Sequence, residues 1–175
     1  MKIIIGLGNL GDRYVGTRHN IGFYFAGQIQ KKWLLPAFEF NKKLNADISK
    51  GNFEKQEIIL AKPRTFMNAS GEAVRSILDF YKLTPEDIIV IHDDLDIALG
   101  EYKIATDSSS AGHNGVQNII DKIGTQKFTR LRIGIGQNEN IPAETYVLQN
   151  FTPEEKAKIE SISENILEEI KNLLK

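Results

Sequence analysis

The chain has 175 residues, 41% of them hydrophobic, with 22 Lys plus Arg against 23 Asp plus Glu for a formal charge of -1. Such a length supports one substantial core and hence a single domain spanning 1–175, while the balanced charge supplies no general attraction to nucleic acid, so any RNA contact must come from a local basic patch. With no cysteine and three unpaired histidines, His19, His92 and His113, disulfides and a cysteine nucleophile are excluded and no metal site is expected.

Ile3-Ile4-Ile5, β-branched and closed by Gly6, reads as a short strand buried on both faces. The apolar run is too short for a signal peptide and no later run reaches bilayer length, so a soluble, cytoplasmic protein without membrane contact is expected. From Gly6 to Thr17 the density of Gly, Asn and Asp predicts loop. Ile21, Phe25, Ile29 and Trp33 then recur every fourth residue, the spacing of one helix face, with Asn20 as its cap. Residues 44 to 50 and 56 to 62 read as two antiparallel strands around a turn at Gly51-Asn52. Val74, Ile77, Leu78 and Tyr81 predict a helix from about Ser70 to Tyr81, and Pro85 closes that unit.

Ile88 to Ile91 is a fully apolar strand running directly into His92-Asp93-Asp94. In open α/β sheets, chemistry gathers beyond the carboxyl ends of such strands. Further elements are a strand over 100 to 105, a short helix over 114 to 123 and a strand carrying Leu131, Ile133 and Ile135. Thr152-Pro153-Glu154-Glu155 has the capping-box pattern with proline at the first helical position. The long helix that follows presents Ile159, Ile162, Ile166, Ile170 and Leu173 as a core-docking stripe.

Gly6-Leu7-Gly8-Asn9-Leu10-Gly11 fits the dinucleotide-binding pattern GxGxxG. That reading fails on context. No helix starts at these glycines, Lys31-Lys32-Trp33 stand where an acidic ribose ligand belongs, and the next strands form a hairpin instead of a parallel unit.

Five turns place polar groups beside apolar structure: Asn9, Thr17-Arg18-His19-Asn20, Thr65-Phe66-Met67-Asn68, His92-Asp93-Asp94, and Gly112-His113-Asn114-Gly115. Each has a structural alternative, since Asn9 suits a left-handed turn, Asn68 and Asn114 suit helix caps, and Asp93 suits a strand end. His92 and His113 read as structural. His19 stands at the mouth of a helix in a polar run, where an imidazole with an ordinary pKa of about 6.5 serves as a general base. Asp93, ahead of Asp94 and Asp96, is the candidate carboxylate to orient its ring. Without a GxSxG elbow, and with Ser108-Ser109-Ser110 reading as an ordinary loop, direct attack by an activated water on a bond as reactive as an ester fits better than an acyl-enzyme, with Asn carboxamides as donors to the oxyanion.

These segments resemble the bacterial peptidyl-tRNA hydrolase family. The matching pieces are GLGNLG followed by Tyr14, TRHN at 17 to 20, KPRTFMNASG at 62 to 71, HDDLD at 92 to 96, AGHNG at 111 to 115 and RLRIGIG at 130 to 136, in the family's order and spacing over residues 1 to about 150. The resemblance implies an α/β fold, a three-layer domain with a central mixed, mostly parallel sheet flanked by helices. It implies cofactor-free hydrolysis of the ester between a peptide and the terminal ribose of tRNA, releasing both, with peptidyl-tRNA as the partner and a monomer needing no protein partner. It makes His19 the base, Asp93 its supporting carboxylate, Asn9 the residue that separates blocked from free aminoacyl-tRNA, and Asn68 and Asn114 contacts to substrate and water. Tyr14, Phe66 and Met67 would line the cleft around the terminal adenosine and peptide.

Two departures stand out. Leu10 replaces the family's usual proline, and the usually basic, glycine-rich stretch before AGHNG here reads Lys103-Ile104-Ala105-Thr106-Asp107, with Gln137 to Asn140 also poor in basic residues. Lys103, Arg132 and Arg130 are therefore expected to form a reduced clamp on tRNA phosphates. The alternative from another class is a non-catalytic RNA-binding protein on the same fold, whose signature would be loss of His19, Asp93 and the three asparagines.

Overall fold

A computed structural model describes residues 1–175. Seven strands, β1 (Lys2–Gly6), β2 (Glu39–Asn41), β3 (Ala46–Phe53), β4 (Gln56–Pro63), β5 (Ile88–Asp94), β6 (Tyr102–Thr106) and β7 (Thr129–Gly134), form one sheet in the order β2-β3-β4-β1-β5-β7-β6. The central strands β4, β1, β5 and β7 run parallel, and antiparallel pairings of β2 with β3, β3 with β4 and β6 with β7 complete the two edges.

Central strands buried on both faces need apolar residues at every position, and the all-isoleucine stretch of β1 meets that need by sending alternate residues to opposite layers. Ile3 and Ile5 pack with α2 (Ser70–Tyr81) and α3 (Asn114–Ile123) through Val74, Ile77, Val116 and Ile119. Ile4 packs instead with Ile21, Phe25 and Ile29 of α1 (Ile21–Lys32) and with Ile159, Ile166 and Ile170 of α5 (Pro153–Leu173). The result is the expected three layers. The glycines of the misleading motif serve this packing: a Cβ on Gly6 would collide with the carbonyl oxygen of Gly22, so the pair lets α1 cross β1 at backbone contact.

Several local expectations need correction. The β3–β4 turn falls at Glu54-Lys55, both at positive φ (47° and 68°), three residues further on than Gly51-Asn52, which lie inside β3. Two consecutive left-handed residues match the twist of a tight hairpin, but neither is the Gly or Asn that advertises such a turn. β5 extends through Asp94, so His92 and Asp93 are strand residues, not a loop beyond it. Trp33 ends α1 as its C-terminal cap, packs against the same core cluster as Ile21, Phe25 and Ile29, and stacks on Phe53 at 4.0 Å. The capping box at Thr152 and Glu155 is formed, and it opens α5 as expected.

Candidate active site

Thr17 leads into a single tight turn of 3-10 helix, Arg18–Asn20, just before α1. With about three residues per turn, successive side chains point roughly 120° apart, and these three take three separate tasks. Arg18 reaches the C-terminal part of the chain: it donates to the Tyr146 carbonyl at 3.1 Å, grips both oxygens of Glu155 at 2.9 and 3.1 Å, and lies 4.0 Å over the Tyr146 ring. His19 turns towards β5, and Asn20 turns back towards Asn9. The backbone N–H of His19 donates to the Val147 carbonyl at 2.8 Å, which straps the turn to the segment before α5.

Nδ1 of His19 lies 2.9 Å from each oxygen of Asp93. A carboxylate accepts, so Nδ1 carries the proton and Nε2 is left with its lone pair. Asp93 has a second imidazole on it, because Nε2 of His113 lies 3.0 Å from Oδ1. The tautomer of His113 is set by its own surroundings: Nδ1 accepts from the Val116 N–H at 3.2 Å and caps α3, so Nε2 donates to Asp93. Asp93 is 2% exposed. Burial on its own would raise its pKa, but the two imidazoles beside it outweigh burial and hold the carboxyl well below the usual carboxylate range. His92 completes the cluster from beneath. It is fully buried, donates from Nδ1 to the Asp93 carbonyl at 2.7 Å, and packs edge-on to His113. Burial, then the proximity of His113, lowers its pKa well below 6.5, which keeps it neutral.

All three histidines of the chain thus converge on one aspartate. The ligand atoms of His19, Asp93 and His113 lie within 4.8 Å of one another, near enough to share an ion. As bonded here, both nitrogens facing the carboxylate are proton donors, so the set orders protons.

His19 forms part of the wall of a cleft of about 240 Å³ shared with Asn9, Phe66, Met67, Asn68, Asn114, Glu144, Val147 and Leu148. Oδ1 of Asn9 accepts from the Met67 N–H at 2.8 Å, which ties the loop after β1 to the loop after β4. Asn68 and Asn114 are exposed at the cleft. Neither is a cap: Asn68 sits inside a 3-10 turn, Met67–Ala69, and the cap of α3 is His113. A larger hollow of about 300 Å³ lies between Val15–Thr17, α1 and α5, but its walls hold neither His19 nor Asp93.

Three expected contacts lie outside the cleft wall. Tyr14 is half-buried in its own turn and accepts from Arg13 at 2.6 Å. Lys103 is exposed on β6, and Arg132 on β7 pairs with Asp94 at 2.8 Å. Arg130 departs from the clamp expectation altogether. It is completely buried and donates to the carbonyls of Ser108 and Ser109 at 2.9 and 2.7 Å, which makes it a strut for the loop before His113. Sequence reasoning did not single out Asn20 as a site residue, nor His113, Glu144, Val147 and Leu148; only Asn20 and His113 carried a signal, each by lying in one of the polar turns.

The family model described as Peptidyl-tRNA hydrolase matches residues 3–175. The chain belongs to the peptidyl-tRNA hydrolase family. A peptidyl-tRNA hydrolase from Thermodesulfovibrio yellowstonii is 45% identical over 95% of this chain and 89% of its own length. One from Brevibacillus brevis is 43% identical over 91% and 84%. The crystal structure of peptidyl-tRNA hydrolase from Acinetobacter baumannii superposes with a TM-score of 0.92, at 34% identity over 99% of this chain and 88% of that one. Family membership accounts for the long motifs around the cleft, including those whose polar residues the fold brings together from β1, β4, β5 and α3.

Proposed function

We propose that this chain hydrolyses the ester between a peptide and the terminal ribose of tRNA, using water activated by His19 and no covalent intermediate. The observation that carries the reading is the bond from His19 Nδ1 to Asp93, which directs the free lone pair of Nε2 to a cleft lined by carboxamides. Water held at Nε2 attacks the ester carbonyl carbon as the ring takes its proton. Asp93 then faces an imidazolium, which its negative charge stabilises. Asn9, with Asn68 and Asn114 around the substrate, donates to the oxyanion as it develops. Collapse breaks the bond to the ribose oxygen, and the proton on Nε2 passes to that oxygen. No serine, threonine or cysteine lines the cleft, which supports direct attack by water.

In this reading residues 1–175 work as one domain, a cofactor-free cytoplasmic monomer, with Tyr14, Phe66 and Met67 near the terminal adenosine or peptide and Lys103 and Arg132 on tRNA phosphates. The test is release of acetylamino acid from an N-acetylated aminoacyl-tRNA, with free aminoacyl-tRNA as control and acid quenching to trap any labelled acyl-enzyme. Cleavage of the blocked substrate alone without labelled protein is expected. Tight tRNA binding with no cleavage would favour a non-catalytic RNA-binding role, and trapped label would overturn direct attack by water.

A further inference from the structure

The residue after the base is as fully committed as the base itself. Oδ1 of Asn20 accepts from the backbone N–H of Asn9 at 2.9 Å, and Nδ2 of Asn20 donates to the Asn9 carbonyl at 2.9 Å. These reciprocal bonds close a ring between one carboxamide and one residue's backbone, and Asn20 is only 3% exposed. Each end has a single acceptable orientation, because an N–H must meet the oxygen and a carbonyl must meet the amide. Asn20 was expected to cap α1, yet it makes no side-chain cap there. Its hydrogen-bonding capacity goes to Asn9 instead.

The consequence appears when the polar groups of Asn9 are followed one by one. Its N–H and C=O are held by Asn20, and its Oδ1 is held by the Met67 N–H. Nδ2 alone is left for the cleft. We infer that Asn20 is a positioning residue for the reaction, which fixes the backbone of Asn9 so that the Asn9 Nδ2 donor meets the carbonyl oxygen of the ester. The 3-10 turn makes this economical, since adjacent residues of one rigid turn hold the proton acceptor, His19, and set the oxyanion donor, Asn9. Moving either moves the other. Thr17 supports the same ring, donating to the Tyr14 carbonyl at 2.8 Å and lying 3.5 Å from Oδ1 of Asn20. The inference rests on the hydrolytic reading above.

Asn20→Ala leaves both backbone groups of Asn9 without their Asn20 partners and its side chain held only by the Met67 N–H, so the Nδ2 donor can shift. Displacement of an aligned donor should lower kcat about 10- to 100-fold with KM changed less than about twofold, because the interaction belongs to the transition state. The experiment measures kcat and KM on N-acetylated aminoacyl-tRNA for wild type, Asn20→Ala, Asn9→Ala and the double variant. If Asn20 acts through Asn9, its substitution should change kcat less than about twofold once Asn9 is alanine. A full, independent loss in that background, or unaltered kcat in Asn20→Ala, overturns the inference. Asn20→Asp keeps the shape and the acceptor but sets a carboxylate against the Asn9 carbonyl, so it repeats the test should the alanine variant not fold. The backbone amide resonance of Asn9 gives a readout independent of activity and should move in both variants. A wild-type protein inactive on this substrate would sink the hydrolytic reading, whereas an Asn9 resonance unmoved by Asn20→Asp would sink the clamp.

Discussion

Two regions flank the same loop and are built on opposite principles. Around Asp93 and Asn9 nearly every polar group is held by named partners, and His19, His113, Asn20 and Met67 lock one another into single orientations. Along β6, β7 and the loop before His113 the basic groups are sparse. Lys103 is exposed, Arg132 is already paired with Asp94, and Arg130 is sealed inside. In the proposed reaction the first region would act through preorganised dipoles in a low-dielectric setting, where small displacements matter. On the same proposal the second would act through charge near solvent, where screening matters and geometry is forgiving. Substitutions in the first should therefore change kcat, and substitutions in the second should change KM and its dependence on salt.

The sharpest break of that contrast is at the base. His19→Ala should lower kcat by roughly 10³- to 10⁴-fold with KM little changed, the scale of a lost general base, and added imidazole should restore part of the rate. Retention of full activity in a steady-state assay would remove His19 from the mechanism. Asp93→Asn comes next, at about 10²- to 10³-fold in kcat. An amide leaves His19 without its carboxylate, and it confronts two imidazole N–H groups with one carbonyl. Loss confined to KM would show that Asp93 serves only substrate binding.

On the basic flank the effects are smaller and of another kind. Lys103→Ala and Arg132→Ala should each raise KM and reduce the slope of log affinity against log salt by about one contact, with kcat unaltered. A salt titration with unchanged slope would clear that residue of phosphate contact. Asp94→Asn sharpens the point, because releasing Arg132 from its ion pair should lower KM.

The smallest effect is on stability. His92 has a folded pKa below its unfolded value, so its contribution is fully present above about pH 6.5 and is lost progressively as pH falls below it. Asp93, also depressed, adds its own loss only below about pH 4, as the unfolded carboxylate takes up a proton that the folded one refuses. Between about pH 6.5 and about pH 4, where of the two losses only that of His92 operates, His92→Asn, which keeps a donor for the Asp93 carbonyl, should flatten the acid limb of a urea-denaturation series. Parallel curves for wild type and variant would overturn that assignment.

Much of the fold was legible because periodicity reports burial directly. The helices 70–81 and 114–123 and the capping box at Thr152 were read at their observed bounds. Where the reading slipped, local signals competed with tertiary ones. Glu54-Lys55 turns without glycine because the strand pairing imposes it, and Gly51 lies inside β3, where a Cβ would press on Leu35 and Pro36 at 3.0 and 3.1 Å. Arg130 and Arg132 are two residues apart on one strand and look alike in sequence. A loop covers one and leaves the other near the surface, which no spacing rule reports.

The amino-acid order by itself determined the strand cores, the helix stripes, the polar turns that would carry chemistry and the family to which they belong, since all of these depend on neighbours along the chain. Only the tertiary structure decided that three histidines meet on one aspartate, that His113 caps α3 while donating to Asp93, and that Asn20 holds Asn9. Hydrogen-bond partners 11, 20 and 74 residues apart in sequence are chosen by how the strands and turns come together in space, and bonds with such short range have no counterpart in a linear pattern.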